Sequence, residues 1–164
     1  MKLSAYIAAA FIAFGAQNAL GAPMEPLTRP TANEPDSQFA FYARCAGLER
    51  ISRRSNEPSF AGVLGLPPSD AFFAASKNGY FSRRAHHHAF ADAGYDWDKL
   101  WDEAHDNGGL LPLWVLALTL GIDEVQKRNE GLYRQRLIRA KAGNTEDKAF
   151  LLADASTCVE VVNE

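Results

Sequence analysis

The chain has 164 residues, 47% of them hydrophobic and 23% charged, with a formal net charge of −3. That length supports one substantial hydrophobic core, and so mild a charge balance makes no case for nucleic acid or an anionic membrane as a partner. Two cysteines rule out a disulfide-dense scaffold and leave room for a single bridge.

The N-terminus carries Lys2, the apolar run Ala5 to Phe14 and a small-residue stretch ending at Gly21-Ala22. This three-part pattern is that of a secretory signal peptide, with cleavage expected after Gly21, residues 1–21 being removed. The apolar run of about ten residues is well short of the ~20 needed to cross a bilayer. Export predicts a periplasmic destination if the source is bacterial and secretion otherwise. Residues 22–35 contain Pro23, Pro26, Pro30 and Pro35 among polar residues, which excludes helix and central strand. They read as a flexible tether leading into one helical domain over 36–164.

Asp36 or Ser37 is expected to cap a helix reaching Ser55, with Phe41, Cys45 and Leu48 on its apolar stripe and Tyr42 and Ile51 widening it. Arg44, Glu49, Arg50, Arg53 and Arg54 fall mostly outside that stripe and are expected in solvent. Residues 56–68, with three prolines and two glycines, read as loop. Ser69 or Asp70 restarts a helix that Asn78-Gly79 ends or bends, and a further helix is expected from Tyr80 to Ala93.

Asp96 caps the next helix, where Trp97, Leu100, Trp101 and Ala104 form one face, and Asp98, Lys99, Asp102, Glu103 and Asp106 the other. The almost wholly apolar run Leu110 to Leu120 is expected to form a central buried helix. Its alternative is an exposed apolar surface for a partner, built on Leu113, Trp114, Val115 and Leu116. Asp123 is expected to cap a separate helix to Ala142, with Val125, Leu132, Tyr133, Leu137 and Ala140 inward. Thr145 begins the last, where Leu151, Ala155, Cys158 and Val162 share a face. The expected fold is therefore all-α, a bundle or orthogonal array of about five to six helices.

Cys45 and Cys158 lie on inward stripes of the first and last helices, and in an oxidising compartment they are expected to pair. No Cys-x-x-Cys arrangement is present to tune a redox pair.

For chemistry, the most unusual local feature is His86-His87-His88. Successive helical residues point about 100° apart, so a regular helix cannot aim all three at one metal. His88 with Asp92, and Asp102 with His105 on the next helix, offer a mixed nitrogen and oxygen set suited to zinc or another divalent transition ion. His105-Asp106 also resembles the dipeptide at the centre of the metal-dependent HD phosphohydrolases, which are all-helical. The resemblance covers these two residues alone, and Asn107-Gly108-Gly109 stands where that family continues with glycine-lysine. It implies a metal-dependent hydrolase as a minor alternative.

No nucleophile elbow, His-Glu-x-x-His, phosphate-binding glycine loop or haem-attachment motif occurs. Lys127, Arg128, Arg134, Arg136, Arg139 and Lys141 form a basic stretch, whose Arg134, Arg136 and Arg139 are candidates for docking an acidic partner. The blander expectation sets this stretch against the acidic Asp96 to Asp106 segment. Taken together, the residues predict an exported, non-catalytic interaction module without a cofactor: an adaptor, inhibitor, immunity-type or chaperone-like binder of an unknown protein. A metal-binding protein using His86, His87, His88, Asp92, Asp102 and His105 is the alternative.

Overall fold

A computed structural model of the chain describes residues 24–30, 35–54, 60–67, 69–106, 108–109 and 111–162. The expected signal segment 1–21 lies outside them. Among the described residues there are seven helices and no strand: α1 (Pro35–Arg53), α2 (Phe60–Leu64), α3 (Ala71–Lys77), α4 (Tyr80–Asp92), α5 (Trp97–Asp106), α6 (Leu113–Lys141) and α7 (Thr145–Glu160). The expected all-α array is thus the fold, and α2 is a single short turn of helix within the segment expected to be loop.

The central helix is α1. Pro35 opens it, so Asp36 and Ser37 sit within the first turn instead of at the cap. Phe41, Tyr42, Ala43, Cys45, Ala46 and Leu48 are all buried, because α1 is packed by α4 and α6 along most of its length and also meets α3 and α7. Helices α1 and α6 cross closely at Gly47, where a Cβ would stand 2.7 Å from the Asn129 Cβ. Phe60, Phe72, Phe73 and Phe81 form an aromatic cluster that fastens α2, α3 and α4 together.

Local signals set several boundaries. The Asp70 carboxylate accepts the Phe72 N–H at 2.9 Å, and the Asp96 carboxylate accepts from Lys99 at 3.1 Å. Asn144 caps α7 by accepting from Asp147 at 2.9 Å, one residue ahead of the expected start. Gly79 takes a left-handed φ of 66° between α3 and α4, a conformation that costs glycine little.

Three expectations are corrected. First, Leu110 to Leu120 is not the central helix. Residues 113–120 are the opening turns of the 29-residue α6, which runs straight through Asp123. Asp123 caps nothing; it pairs with Arg50 and Lys127. Second, the polar face of α1 is not simply solvated. Glu49 is fully buried, and Arg44 and Arg50 are half-buried in ion pairs with Asp154 and Asp123. These partners lie over seventy residues away in sequence, so helical periodicity alone cannot identify them.

Third, residues 24–30 have no helix or strand, as their prolines require, but they are anchored to the domain instead of hanging free. Leu27 is buried and donates its N–H to Asp154 Oδ1 at 2.8 Å. Arg44 donates to the Glu25 carbonyl at 2.8 Å and Arg136 to the Met24 carbonyl at 3.1 Å. Asp154, itself fully buried, also accepts from Arg44 at 2.7 Å and from the Tyr133 hydroxyl at 2.5 Å. Three donors, the Leu27 N–H, the Arg44 guanidinium and the Tyr133 hydroxyl, converge on this one carboxylate and supply what a buried charge needs.

Cys45 and Cys158 are disulfide-bonded, their Cα atoms 5.8 Å apart and 113 residues apart in sequence. Both are fully buried, and the bond ties the centre of α1 to the end of α7. No described helix is long and apolar enough to cross a membrane.

Candidate functional site

The histidine triplet lies on α4 and its members diverge as helix geometry dictates. His86 Nδ1 donates to the Ser82 carbonyl at 2.8 Å, and its ring rests against Trp97 with centroids 5.2 Å apart. His87 Nε2 is 3.4 Å from Asp98 Oδ1. His88 stacks on Tyr42, centroids 4.9 Å apart and planes within 8°, with the Arg84 guanidinium 5.3 Å from the Tyr42 ring centroid. Burial holds both His86 and His88 below the usual histidine range, and for His88 the neighbouring Arg84 adds to it.

Helices α4 and α5 do adjoin, as the mixed metal site requires, but aromatic rings fill the junction. Trp97 packs on Phe90 at 4.5 Å and on His86. Asp92, Asp102 and His105 are exposed, and among the described residues no three His, Cys, Asp or Glu side chains gather into a group that could hold a metal. His88, Asp92, Asp102 and His105 are therefore not brought together as one ligand set. His105-Asp106 closes α5 on the surface, and among the described residues it belongs to no group of three His, Cys, Asp or Glu side chains that could hold a metal.

The basic stretch meets carboxylates of its own chain. Arg136 Nη1 and Arg139 Nε reach the two oxygens of Asp147 at 2.8 and 2.6 Å, and the Arg136 guanidinium lies 3.7 Å from the Phe150 ring centroid. Arg139 first, and then Arg136, holds the Asp147 carboxyl below its ordinary range. Arg134 faces Glu130 at 3.5 Å, and Arg54 reaches the same carboxylate at 2.9 Å. For Arg134, Arg136 and Arg139 the counter-charges are thus Glu130 and Asp147, not the Asp96 to Asp106 segment, and Lys127 pairs with Asp123 and Glu124. Much of the cationic surface offered by Arg134, Arg136 and Arg139 is engaged within the fold.

A polar network that periodicity does not disclose lies inside, where α1, α4 and α6 meet. Glu49 Oε2 accepts the Phe81 N–H at 3.0 Å, capping α4 from a neighbouring helix where Gly79 has no side chain to do so. Gln126 Oε1 accepts from Ser82 at 2.9 Å and from Arg50 at 3.1 Å. Burial pushes the Glu49 carboxyl up, against the opposing pull of that N–H bond. The network joins three helices and opens into no described cavity. An open groove of about 640 Å³ lies elsewhere, bounded by Val63 of α2 and by Ala140, Lys141, Asn144, Thr145 and Lys148 around the α6–α7 turn. Its described lining includes no histidine, cysteine or carboxylate.

The most distinctive surface is apolar. Leu113, Leu116 and Leu120 recur at helical spacing on α6 and are 84%, 42% and 65% exposed. Val115 and Ile122, on the opposite side of the same turns, are buried. The run Leu113 to Leu120 thus splits into a buried side and an exposed one. Beside it, Tyr95 is 43% exposed and packs on Trp114 at 4.4 Å. Trp114 meets Phe90, Phe90 meets Trp97, and Trp97 stacks on the 53%-exposed Trp101 at 5.2 Å. This aromatic chain locks α5 and the start of α6 onto α4 and leaves two aromatic edges in solvent.

Sequence reasoning favoured a buried helix here and gave an exposed surface on Leu113, Trp114, Val115 and Leu116 as the alternative; Leu113 and Leu116 are exposed, whereas Val115 is buried. Comparison with known protein families, characterised proteins and solved structures finds no match.

Proposed function

We propose that the protein is an exported, non-catalytic interaction module that docks a partner through the exposed leucine face of α6. The observation carrying this reading is the exposure of Leu113, Leu116 and Leu120, three large side chains on one face of an ordered helix. Isolated apolar residues are ordinary on a protein surface, whereas a grouped stripe of three leucines, with the exposed Tyr95 packed on the adjoining Trp114, has the composition of an interface core. The signal-like N-terminus and the disulfide support export, since such a bond persists in oxidising compartments.

Substituting Leu113→Ser, Leu116→Ser and Leu120→Ser together tests the reading. Side chains in solvent change stability by no more than about 0.5 kcal/mol each, whereas buried leucines cost about 2 to 5 kcal/mol each. The expected outcome is a folded protein of nearly unchanged denaturation midpoint that no longer captures the partner retained by wild type from the exported fraction. Loss of the fold, or unchanged capture, overturns the reading.

A further inference from the structure

We infer that the partner received by the α6 leucine face is a second copy of this chain, laid antiparallel along the outward side of α6 with a two-fold axis between Glu124 and Lys127. This identification rests on the docking surface proposed above. The exposed leucines continue into a spine that runs most of the length of α6. At about 100° per residue, Leu113, Leu120, Glu124, Lys127, Gly131 and Ile138 lie within roughly 40° of one direction. All six are exposed, Ile138 at 56%, and Leu116 flanks them. The buried Val115, Ile122, Tyr133 and Ala140 point the opposite way.

The spine consists of two interleaved series of seven-residue spacing, Leu113-Leu120-Lys127 and Glu124-Gly131-Ile138. Reversing one copy of α6 against another lays the first series on the second. Leu113 then faces the partner's Ile138, Leu120 the partner's Gly131 and Lys127 the partner's Glu124, and the two-fold axis repeats each contact. A Cβ at Gly131 meets nothing within 4 Å, so the helix surface is bare where the leucine arrives. A residue no larger than alanine leaves that notch open at ordinary interhelical distances of 8–10 Å. Within the chain Glu124 and Lys127 pair at 3.1 Å, and Lys127 also reaches Asp123 at 3.0 Å. The antiparallel seating gives each an opposite charge across the axis, whereas a parallel one sets Glu124 against the partner's Glu124 and Lys127 against the partner's Lys127.

From Leu113 to Ile138 the helix rises about 38 Å, and a strip 10 to 12 Å wide covers roughly 400 Å² of each copy. About 800 to 900 Å² for the pair is at the small end of specific interfaces and fits a reversible dimer of micromolar affinity. An overlap of the leucines alone spans about two turns, roughly 10 Å, and leaves Ile138 in water. A lipid surface offers no counter-charge to Glu124 and Lys127 in the middle of the spine.

Sedimentation equilibrium of the full oxidised chain, up to about 100 μM, tests the pairing, with circular dichroism to verify that each variant is folded. The expected result is a wild-type dimer of micromolar Kd and a monomeric Leu113→Ser/Leu116→Ser/Leu120→Ser variant. Gly131→Gln fills the notch without touching its own chain and weakens the dimer about tenfold. Glu124→Lys and Lys127→Glu each set like charges across the axis and weaken it about tenfold. A mixture of these two single variants forms a heterodimer tighter than either homodimer, because one chain carries lysine at both positions and the other glutamate. The intrachain pair is equally lost in the mixture, so a purely local role for these residues does not produce that result.

A wild type monomeric throughout, with capture from the exported fraction still abolished by the leucine substitutions, overturns the second copy and leaves the docking face in place. A dimer indifferent to the Gly131 and charge substitutions overturns this seating of α6 on α6. A monomer whose capture is unchanged by the leucine substitutions, or a dimer that survives them, overturns both this inference and the proposed function.

Discussion

Replacing Gly47 by alanine places a methyl group at the close crossing of α1 and α6. The added Cβ would meet the Asn129 Cβ at 2.7 Å, the Asn129 carbonyl carbon at 2.9 Å and the Glu130 nitrogen at 2.9 Å. Ordinary carbon contacts begin near 3.5 Å, so α1 and α6 must part by about 0.6 to 0.8 Å. Two of the three atoms are backbone and cannot rotate away. Overpacking of this kind costs about 1 to 3 kcal/mol, and the upper part of that range applies where the backbone must move. Alanine recovers about 0.8 to 1 kcal/mol of helix propensity, leaving a net destabilisation of about 1 to 2 kcal/mol.

Gly131, also inside α6, is the internal control, because a Cβ there meets nothing within 4 Å. Gly131→Ala should stabilise by up to about 1 kcal/mol, the propensity gain alone. Urea denaturation of the oxidised protein measures both variants, and each kcal/mol shifts Tm by about 3 to 5 °C for a domain of this size. If Gly47→Ala stabilises as much as Gly131→Ala, the close α1–α6 crossing is not as described.

Two further outcomes follow from the interior. The disulfide closes a loop of more than a hundred residues, for which chain entropy gives about 4 to 5 kcal/mol as an upper figure. Reduction, or the pair Cys45→Ala/Cys158→Ala, should therefore lower the unfolding free energy by about 2 to 5 kcal/mol, and a loss below about 1 kcal/mol would contradict it. Glu49 has a pKa above its ordinary 4.5 because it is buried, so the unfolded chain releases this proton first as pH rises. Below pH 4.5 both states hold the proton and the penalty is absent; it grows as pH climbs through the raised folded value. Glu49→Gln keeps an oxygen for the Phe81 N–H and removes the ionisation. The stability of wild type relative to this variant should fall as pH rises from about 4 to 7, and parallel pH curves would refute it.

What could be read from the residues was whatever local chemistry decides. Asp96 and Asp70 cap helices because the carboxylate and the amide it accepts are two or three residues apart. Cys45 and Cys158 pair because each sits on an inward stripe. Distant partners escaped notice. Glu49 looks like a solvent residue until α4 presents the Phe81 N–H to it, and Arg44 until Asp154 arrives from α7.

The α6 leucines misled for a related reason. Hydrophobicity identifies a side chain that prefers an apolar neighbour, but whether that neighbour belongs to the same chain is decided by how the other helices are placed. Here α1 already occupies the centre, and only the Val115 and Ile122 side of α6 reaches it. Likewise the prolines near the N-terminus exclude regular structure but do not reveal that Asp154, 127 residues later, fixes Leu27 in place.

That last contact bears on the order of assembly. A chain made from its N-terminus produces α1 first, yet the packing that buries α1 comes from α4, α6 and α7. The acceptor for Leu27 and the sulfur for Cys45 both sit on α7, the final helix. The opening residues therefore have no native resting place until the last ones arrive, and a ribosome or translocation channel that still holds α7 holds back closure of the whole domain.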